Sequence, residues 1–447
     1  MKTRIAYIVF WSILLASVAA SGQEPDSVHA GGNDPNLPQP DSKSDALSGT
    51  EQISAQDSEA VKKREFATPD LPPKWARVPS YHSKYFSTML GFVGVYDYHA
   101  FSQDSDSITQ VGRQRDQWDD RSSRFILVGS IGPESYKLHY YVAYAWNGFD
   151  AHQNKMKTWN FSDLNITAPV GKLGALTFGK TKEQFVYEIV GDATFLPSLE
   201  RVLNPFFTSR DVGLTLSNSV FKKRMTYSGA WANDWWVQKK DFDTVGNHFT
   251  SRVTGLVSIN DDGSRYFHVG ASVRYAGADA GVIRLRGKPE SNVTSNYVDT
   301  GNIPASNQKE FGLEALWARD RYSVLTEYVH SYVDATHVAN PSFYGFYVTG
   351  SVFLTGEHRP YDRNVGFARR PIPTRRWGAV ELTARYSRLD LDNKSIQGGI
   401  MNKGTLDLNW FLNRRCKLAV SGGFANLDRA GLNGLTKILQ TRMQYVF

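Results

Sequence analysis

Apolar and polar residues alternate with a period of two in many segments of this 447-residue chain after Tyr85. This period indicates β-strands, because successive side chains of a strand point to opposite faces. Clear cases are residues 136–146, 265–275, 377–389 and 435–447. Their apolar faces are continuous and edged with aromatic residues. We therefore expect strands that have lipid on one face and water on the other.

The polar connections between these segments differ in length. Short connections occur at 132–135, 221–224, 261–264, 319–321 and 413–415. Longer ones lie between them, near 99–122, 186–208, 276–308 and 392–399. Short turns at one end and long loops at the other are typical of transmembrane β-barrels. The long segment 356–377 is an exception. Successive connections lie at opposite ends of a barrel, and this order places the segment at the end that carries the short turns.

Counting these segments predicts about sixteen spanning strands, provided that residues 282–288 belong to a loop. We therefore predict an all-β fold, a transmembrane antiparallel barrel over residues 81–447 with short periplasmic turns and long outer loops. A barrel of this size is wide enough for an aqueous channel. It would lie in outer-membrane lipid.

The start of the chain predicts export. Lys2 and Arg4 precede an apolar run that ends in small residues at Ala20, so residues 1–20 form a predicted signal peptide. Residues 21–80 are rich in Ser, Asp, Gly and Pro, and we expect a disordered periplasmic lead-in. No later segment reaches the roughly 20 apolar residues that a membrane helix needs, so a membrane protein of this sequence would cross with strands.

The barrel part of the sequence is basic. The chain carries a net charge of +7, but residues 21–73 hold ten acidic and four basic groups, which leaves 45 basic and 34 acidic groups in residues 74–447. The positive electrostatic potential of such an excess of basic groups favours small anions. Basic proteins often bind nucleic acid, but export argues against that partner.

Eleven basic residues are the candidate anion-binding and pore-lining groups. Arg252, Arg274, Arg385 and Arg442 point inward by alternation, and Lys180 and Lys182 lie at the end of the strand before the loop at 186–208. Arg121 and Arg124 lie at the mouth of the second strand, and Arg284, Arg286 and Lys288 form a spaced trio in the loop at 276–308. Guanidinium and ammonium groups can replace the hydration of a phosphate, and a series of weak sites lets an anion move onward. The alternative is that these groups brace the wall by pairing with Glu314, Glu327 or Glu381. The cluster of Arg369, Arg370, Arg375 and Arg376 is predicted to be a solvated turn.

No catalytic motif and no Cys/His cluster with metal-ligand spacing occurs, so we expect no enzyme activity, no metal and no cofactor. The single Cys416 excludes an internal disulfide. We interpret it as a small strand residue beside a turn.

Short motifs spread over residues 86–447 resemble the phosphate-selective porin O and P family. The matching stretches are Asp97-Tyr98-x-x-Phe101, Gly179-Lys180-x-Lys182-Glu183-x-Phe185, Leu199-Glu200-Arg201, Ser209-Arg210-x-x-Gly213, Asp299-Thr300-Gly301, Phe353-Leu354-Thr355-Gly356-Glu357-x-Arg359-x-Tyr361, Trp377-Gly378-x-x-Glu381-Leu382-x-x-Arg385-Tyr386-Ser387 and Gln440-x-Arg442-x-Gln444-Tyr445-x-Phe447. The resemblance implies a homotrimeric, sixteen-stranded porin for phosphate-class anions. It also implies that the third loop, residues 186–208, folds into the lumen, that Arg284, Arg286 and Lys288 match an arginine ladder, and that Phe447 is the signal read by the barrel-assembly machinery.

Three alternatives remain open from the sequence. A general or carbohydrate-type porin would have the same architecture with an aromatic track in the pore, and Trp235 and Trp236 could contribute to one. A secreted soluble β-rich binding protein would share the composition. A barrel enzyme acting on lipid would need a Ser–His pair at the lipid boundary.

Overall fold

The computed structural model describes residues 79–146, 159–233 and 245–447 of the chain. The predicted signal peptide at 1–20 lies outside the described residues, as does the predicted lead-in up to residue 78. Trp235 and Trp236 also lie outside them.

Sixteen antiparallel strands form the wall of the described structure. They are β1 (Phe86–Gln103), β2 (Gln117–Ile131), β3 (Leu138–Trp146), β4 (Trp159–Pro169), β5 (Ala175–Lys182), β6 (Arg210–Val220), β7 (Met225–Asn233), β8 (Val245–Ile259), β9 (Arg265–Ala278), β10 (Ile303–Arg319), β11 (Tyr322–Ala335), β12 (Ser342–Phe353), β13 (Ala379–Asn393), β14 (Ile396–Phe411), β15 (Cys416–Arg429) and β16 (Leu432–Val446). Each strand pairs with the next, and β16 pairs with β1, from Val93 opposite Val446 to Gln103 opposite Thr436. The sheet is therefore a closed barrel, as the alternation predicts.

The remaining elements are short. The helices are Ser105–Val111 and Tyr187–Val190, with single 3₁₀ turns at Gly171–Leu173, Ala193–Phe195 and Asn204–Phe206. Short strands lie at Ser80–His82, Val282–Ile283, Arg286–Gly287, Val298–Asp299, Tyr361–Asp362 and Phe367–Ala368. None of the helices in the described ranges has the length and hydropathy needed to span a bilayer.

Exposure along the strands is the reverse of that in a soluble protein. On β16 the apolar side chains of Leu439 and Met443 are 47% and 55% exposed, whereas the polar Gln440 and Arg442 are 3% and 6% exposed. A soluble sandwich would bury the apolar face. The outer surface of this barrel is instead suited to lipid, and its polar side chains fill the lumen.

The connections follow the predicted pattern at most positions. Residues 282–288 do not span the barrel, because Val282–Ile283 pairs only with the first two residues of β10. The predicted loop at 392–399 is wrong. Strands β13 and β14 continue through it, with Asn393 opposite Ile396, and only Lys394 and Ser395 form the turn.

Three connecting segments fold into the lumen. The third loop (residues 183–209) and the fifth loop (residues 279–302) enter from one end, and the long turn (residues 354–378) enters from the other. The infolded third loop is confirmed. The prediction of a solvated turn at 369–376 is wrong for Arg370, which is buried, and Arg369 is half-buried in a pair with Asp362, whereas Arg375 and Arg376 are exposed.

A single apolar cluster joins these segments to one side of the wall. Phe185, Ile189 and Leu203 of the third loop pack with Leu285 of the fifth loop and Phe367 of the long turn. The cluster continues onto the inward faces of β8 to β16 through Leu256, Tyr266, Leu316, Val329, Phe343, Leu389, Met401, Leu427 and Ile438. The infolded segments are therefore packed against the β8–β16 side of the lumen by apolar contact.

Candidate functional site

A cavity of about 50 Å³ lies between the third loop and the inward faces of β1, β2 and β16. Six basic side chains line it, namely Arg121, Arg124, Lys182, Arg201, Arg210 and Arg442. Only two carboxylates, those of Asp192 and Glu200, line it as well. The excess of positive charge in a partly enclosed space suits an anion.

A β-bulge in β2 directs two of these arginines into the cavity. Val95 is opposite Ser122 and Tyr96 is opposite Asp120, so Arg121 is the extra residue. In a regular strand Arg121 and Arg124, three positions apart, would point to opposite faces. The bulge changes this parity, and both arginines line the cavity.

Glu200 holds the tip of the third loop against this part of the wall. Its carboxylate accepts hydrogen bonds from Arg121 Nε at 2.8 Å and Arg121 Nη2 at 3.0 Å, and from Arg442 Nη2 at 2.5 Å. Arg442 is also paired with Asp97, at 2.6 and 2.8 Å. Burial raises the pKa of Glu200, but the charges of Arg121 and Arg442 outweigh burial and hold that pKa below its usual value.

Asp192 and Lys182 form the opposite side of the cavity. Burial raises the pKa of Asp192, but the nearby charges of Lys182 and Arg124 and two hydrogen bonds from Thr194 lower it to about 2. Lys182 Nζ donates to the carbonyl of Gly191 at 2.7 Å. Asp192 is therefore ionised at neutral pH, and the cavity remains a mixed site with basic groups in excess.

Arg124 is the cavity arginine with the weakest hydrogen bonding. Its Nη2 donates one long hydrogen bond, 3.4 Å, to Ser122 Oγ, and its buried Nε has no hydrogen-bond partner in the described structure. Arg210, by contrast, donates to Asp163 at 2.9 Å. Arg124 is thus the group best placed to donate to an anion in the cavity.

The family model for phosphate-selective porin O and P matches residues 96–447. The chain belongs to this family. It is therefore an outer-membrane porin, and the family and the barrel together indicate a channel.

Similar proteins and structures agree with this membership. A curated protein of Caulobacter vibrioides, described as uncharacterized, is 30% identical over 157 residues, which cover 33% of this chain and 31% of that protein. The alignment thus spans about a third of the relative's length.

Among solved structures, an anion-selective porin from Comamonas acidovorans has a TM-score of 0.53 at 13% identity, over 81% of this chain and 100% of that one. The outer membrane channel DcaP of Acinetobacter baumannii has a TM-score of 0.53 at 10% identity, over 83% and 100% of the two chains. At these identities the likeness concerns the fold alone.

Several predicted site residues of the porin lie outside the cavity. Arg252 donates to Glu314 at 2.5 and 3.0 Å, and Arg274 donates to Glu183 at 2.6 Å and to Glu310 at 2.7 Å. Lys180 is buried on β5. Arg385 donates to Glu188 of the third loop at 2.8 Å. The Arg252–Glu314 and Arg274–Glu310 pairs brace neighbouring parts of the wall, whereas Arg274–Glu183 and Arg385–Glu188 tie the third loop to it.

The fifth loop carries its predicted basic residues on one side of an extended stretch. Arg284, Arg286 and Lys288 are partly exposed, and they alternate with buried Leu285 and Gly287. Arg284 donates two hydrogen bonds to Asp299, at 2.6 and 2.8 Å, and Lys288 Nζ donates to the carbonyl of Asn292 at 2.9 Å. The fifth-loop stretch and the cavity are thus two separate basic regions.

Sequence reasoning missed four charged residues of the cavity. Arg210 begins β6 and belongs to the matched stretch Ser209-Arg210-x-x-Gly213, so alternation along β6 could have placed it inward. Asp192, Glu200 and Arg201 belong to the third loop, which has no period to interpret. Burial of Arg201 lowers its pKa to about 10, and its Nε donates to the carbonyl of Glu188 at 2.5 Å.

Proposed function

We propose that this porin prefers anions and that phosphate-class anions, including polyphosphate, are its leading cargo. The observation that carries the proposal is the cavity beside the third loop, where six basic groups face two carboxylates. Transport is passive and needs no cofactor. Selectivity arises from the charge excess and from the narrowing of the lumen by the third loop.

The two basic regions would act in series. An anion first meets the fifth-loop side that carries Arg284, Arg286 and Lys288, and then the cavity lined by Arg121, Arg124 and Arg442. Most of these groups already have a carboxylate or carbonyl partner, so each site binds weakly. Weak sites in sequence allow release as well as entry.

A bilayer measurement tests the proposal. Purified, refolded protein is inserted into a planar bilayer with a KCl gradient, and the reversal potential is recorded before and after phosphate is added. We expect a reversal potential of the sign for chloride preference and a chloride current that phosphate blocks. A cation-preferring reversal potential would refute anion preference. Block by maltose-type sugars without block by phosphate would favour a carbohydrate porin.

We also propose that the porin is a homotrimer, as the family resemblance implies. An aromatic cluster on the outer face of β1 to β4 supports a subunit contact there, with Phe125 and Tyr144 5.7 and 5.4 Å from Trp159. Cross-linking in detergent followed by native mass spectrometry tests the oligomer. A monomer under conditions that retain conductance would refute it.

A further inference from the structure

Arg385 of β13 and Lys403 of β14 form a pair of buried cations that is only loosely satisfied. Arg385 Nη2 is engaged by Glu188, but its buried Nε has no hydrogen bond in the described structure. Lys403 Nζ donates one long hydrogen bond, 3.4 Å, to the carbonyl of Glu290 within the described part of the chain. Ser387 lies directly opposite Lys403 in the strand pair, so its hydroxyl faces the same space.

The carboxylate of Glu290, from the fifth loop, enters this space. It accepts a hydrogen bond from Ser387 Oγ, and its other oxygen lies 3.4 Å from Arg385 Nε and 3.9 Å from Lys403 Nζ. Charge-assisted hydrogen bonds are normally 2.7–2.9 Å long. A guanidinium, an ammonium and a hydroxyl thus converge on a carboxylate that contacts both cations at more than the optimal distance.

The backbone at Glu290 indicates that this placement is constrained. Glu290 has φ of 49°, in the left-handed region that non-glycine residues seldom occupy. Such conformations persist where the surroundings impose them, and they cluster at binding and switching sites. The alternation of Arg284, Arg286 and Lys288 stops before Glu290, whose side chain is buried, so the chain turns inward directly after the basic stretch of the fifth loop.

We propose that Arg385, Lys403 and Ser387 form a further anion-binding site and that Glu290 occupies it as a tethered anion. A free phosphate-class anion displaces the Glu290 carboxylate and contacts both cations at normal distances. The inference rests on the proposed anion transport, and it adds a site and a competitor to it. The fifth loop then regulates how tightly this part of the lumen holds an anion.

Phosphate binding to the detergent-solubilised, refolded protein tests the site. Inorganic phosphate is titrated by isothermal titration calorimetry at constant ionic strength into wild type, Glu290→Gln and Glu290→Gly. A tethered competitor acts at an effective concentration in the millimolar range, so removing it should tighten phosphate binding by at least about threefold. Glycine adopts the observed φ without strain, so Glu290→Gly gives a second variant that keeps the backbone conformation.

Two further variants assign the effect to the site. Asp279→Asn removes one negative charge from the exposed base of the same loop and should leave phosphate affinity unchanged. Adding Lys403→Gln to Glu290→Gln should abolish the gain. The proposal is overturned if both Glu290 variants bind phosphate no more tightly than wild type, or if Asp279→Asn tightens binding equally. The wild-type reversal potential separately decides anion preference, so either idea can fail alone.

Discussion

Replacing Glu200 by glutamine tests whether the cavity beside the third loop sets anion selectivity. Glu200 supplies one of only two carboxylates that face six basic groups there, and it binds both Arg121 and Arg442. Glutamine has the same shape and keeps one acceptor oxygen, but it lacks the charge. Arg442 retains its pair with Asp97, so the wall on that side stays braced.

The size of the effect follows from Coulomb's law. An anion in the cavity would lie roughly 5 Å from the Glu200 carboxylate, where a unit charge repels it by about 0.8 kcal/mol in a water-like medium and by about 3 kcal/mol at an effective dielectric constant of 20. Removing this repulsion strengthens anion binding by about fourfold to about a hundredfold. The lost charge-assisted hydrogen bonds cost about 1.5–3 kcal/mol each in the placement of the loop.

The assay is phosphate block of the chloride current in planar bilayers. We expect Glu200→Gln to lower the half-blocking phosphate concentration and to shift the reversal potential further toward chloride. Glu310→Gln is the matched control, because Glu310 forms a comparable buried pair with Arg274 outside the cavity. Unchanged block in Glu200→Gln, or an equal shift in Glu310→Gln, would refute the assignment of selectivity to this cavity.

Four further outcomes are expected. Arg124→Gln should weaken phosphate block about two- to tenfold with little change in thermal stability, because Arg124 makes one long hydrogen bond among the described residues. Glu327→Ala should increase open-channel noise, because it leaves the backbone N–H groups of Tyr187 and Glu188 unpaired, at about 1–3 kcal/mol each. Phe447→Ser should lower the heat-modifiable, assembled fraction in outer membranes. Lowering the pH from about 7 to about 5 should leave the contribution of Asp192 to anion preference unchanged, because the pKa of Asp192 is depressed to about 2, and its stabilising charge is lost only as pH falls toward that value.

Each of these outcomes has a contrary result. Loss of thermal stability in Arg124→Gln would mean that the arginine braces the wall. Wild-type noise in Glu327→Ala would mean that other contacts suffice to hold the third loop. Wild-type assembly of Phe447→Ser would remove its role as an assembly signal. A rise in anion preference between about pH 7 and pH 5 that Asp192→Asn abolishes would contradict the depressed pKa of Asp192, because protonation of this carboxylate removes a negative charge from the cavity.

Alternation predicted the barrel because each wall strand has lipid on one side and the lumen on the other. Apolar and polar residues therefore alternate along the sequence of each strand. It failed at 392–399, where Asn393 and the pair Gly398-Gly399 suggest a loop. In the structure a Cβ at Gly398 would lie 2.6 Å from the carbonyl oxygen of Leu391, so this glycine permits a close approach within the ladder. Composition cannot distinguish such a strand glycine from a loop glycine.

The candidate site was predictable only where its residues lie on strands. Arg442 faces inward by simple alternation, whereas Arg121 and Arg124 share the cavity only because of a bulge that leaves no sequence signal. Arg370 lies in a run of basic residues and would be solvated if it stayed at the barrel end. Its burial depends on the long turn packing against the wall, where its guanidinium lies 5.5 Å from the ring of Phe411. Such contacts are set by tertiary packing.

The distribution of apolar and charged groups inside the barrel restricts where an ion can pass. Apolar side chains of the third loop, the fifth loop and the long turn are packed against β8 to β16, and transfer of a bare ion into such packing costs many kcal/mol. The cavity on the β16–β1–β2 side combines empty volume with basic groups in excess. Under the proposed anion transport, this cavity is therefore a favourable stage of the path, together with the basic groups of the fifth loop and of β13 and β14. We infer that the apolar cluster would act on anion selectivity indirectly. It fixes the third loop beside β16, β1 and β2, where Glu200 and Asp192 would offset part of the positive charge and keep anion binding weak enough for release.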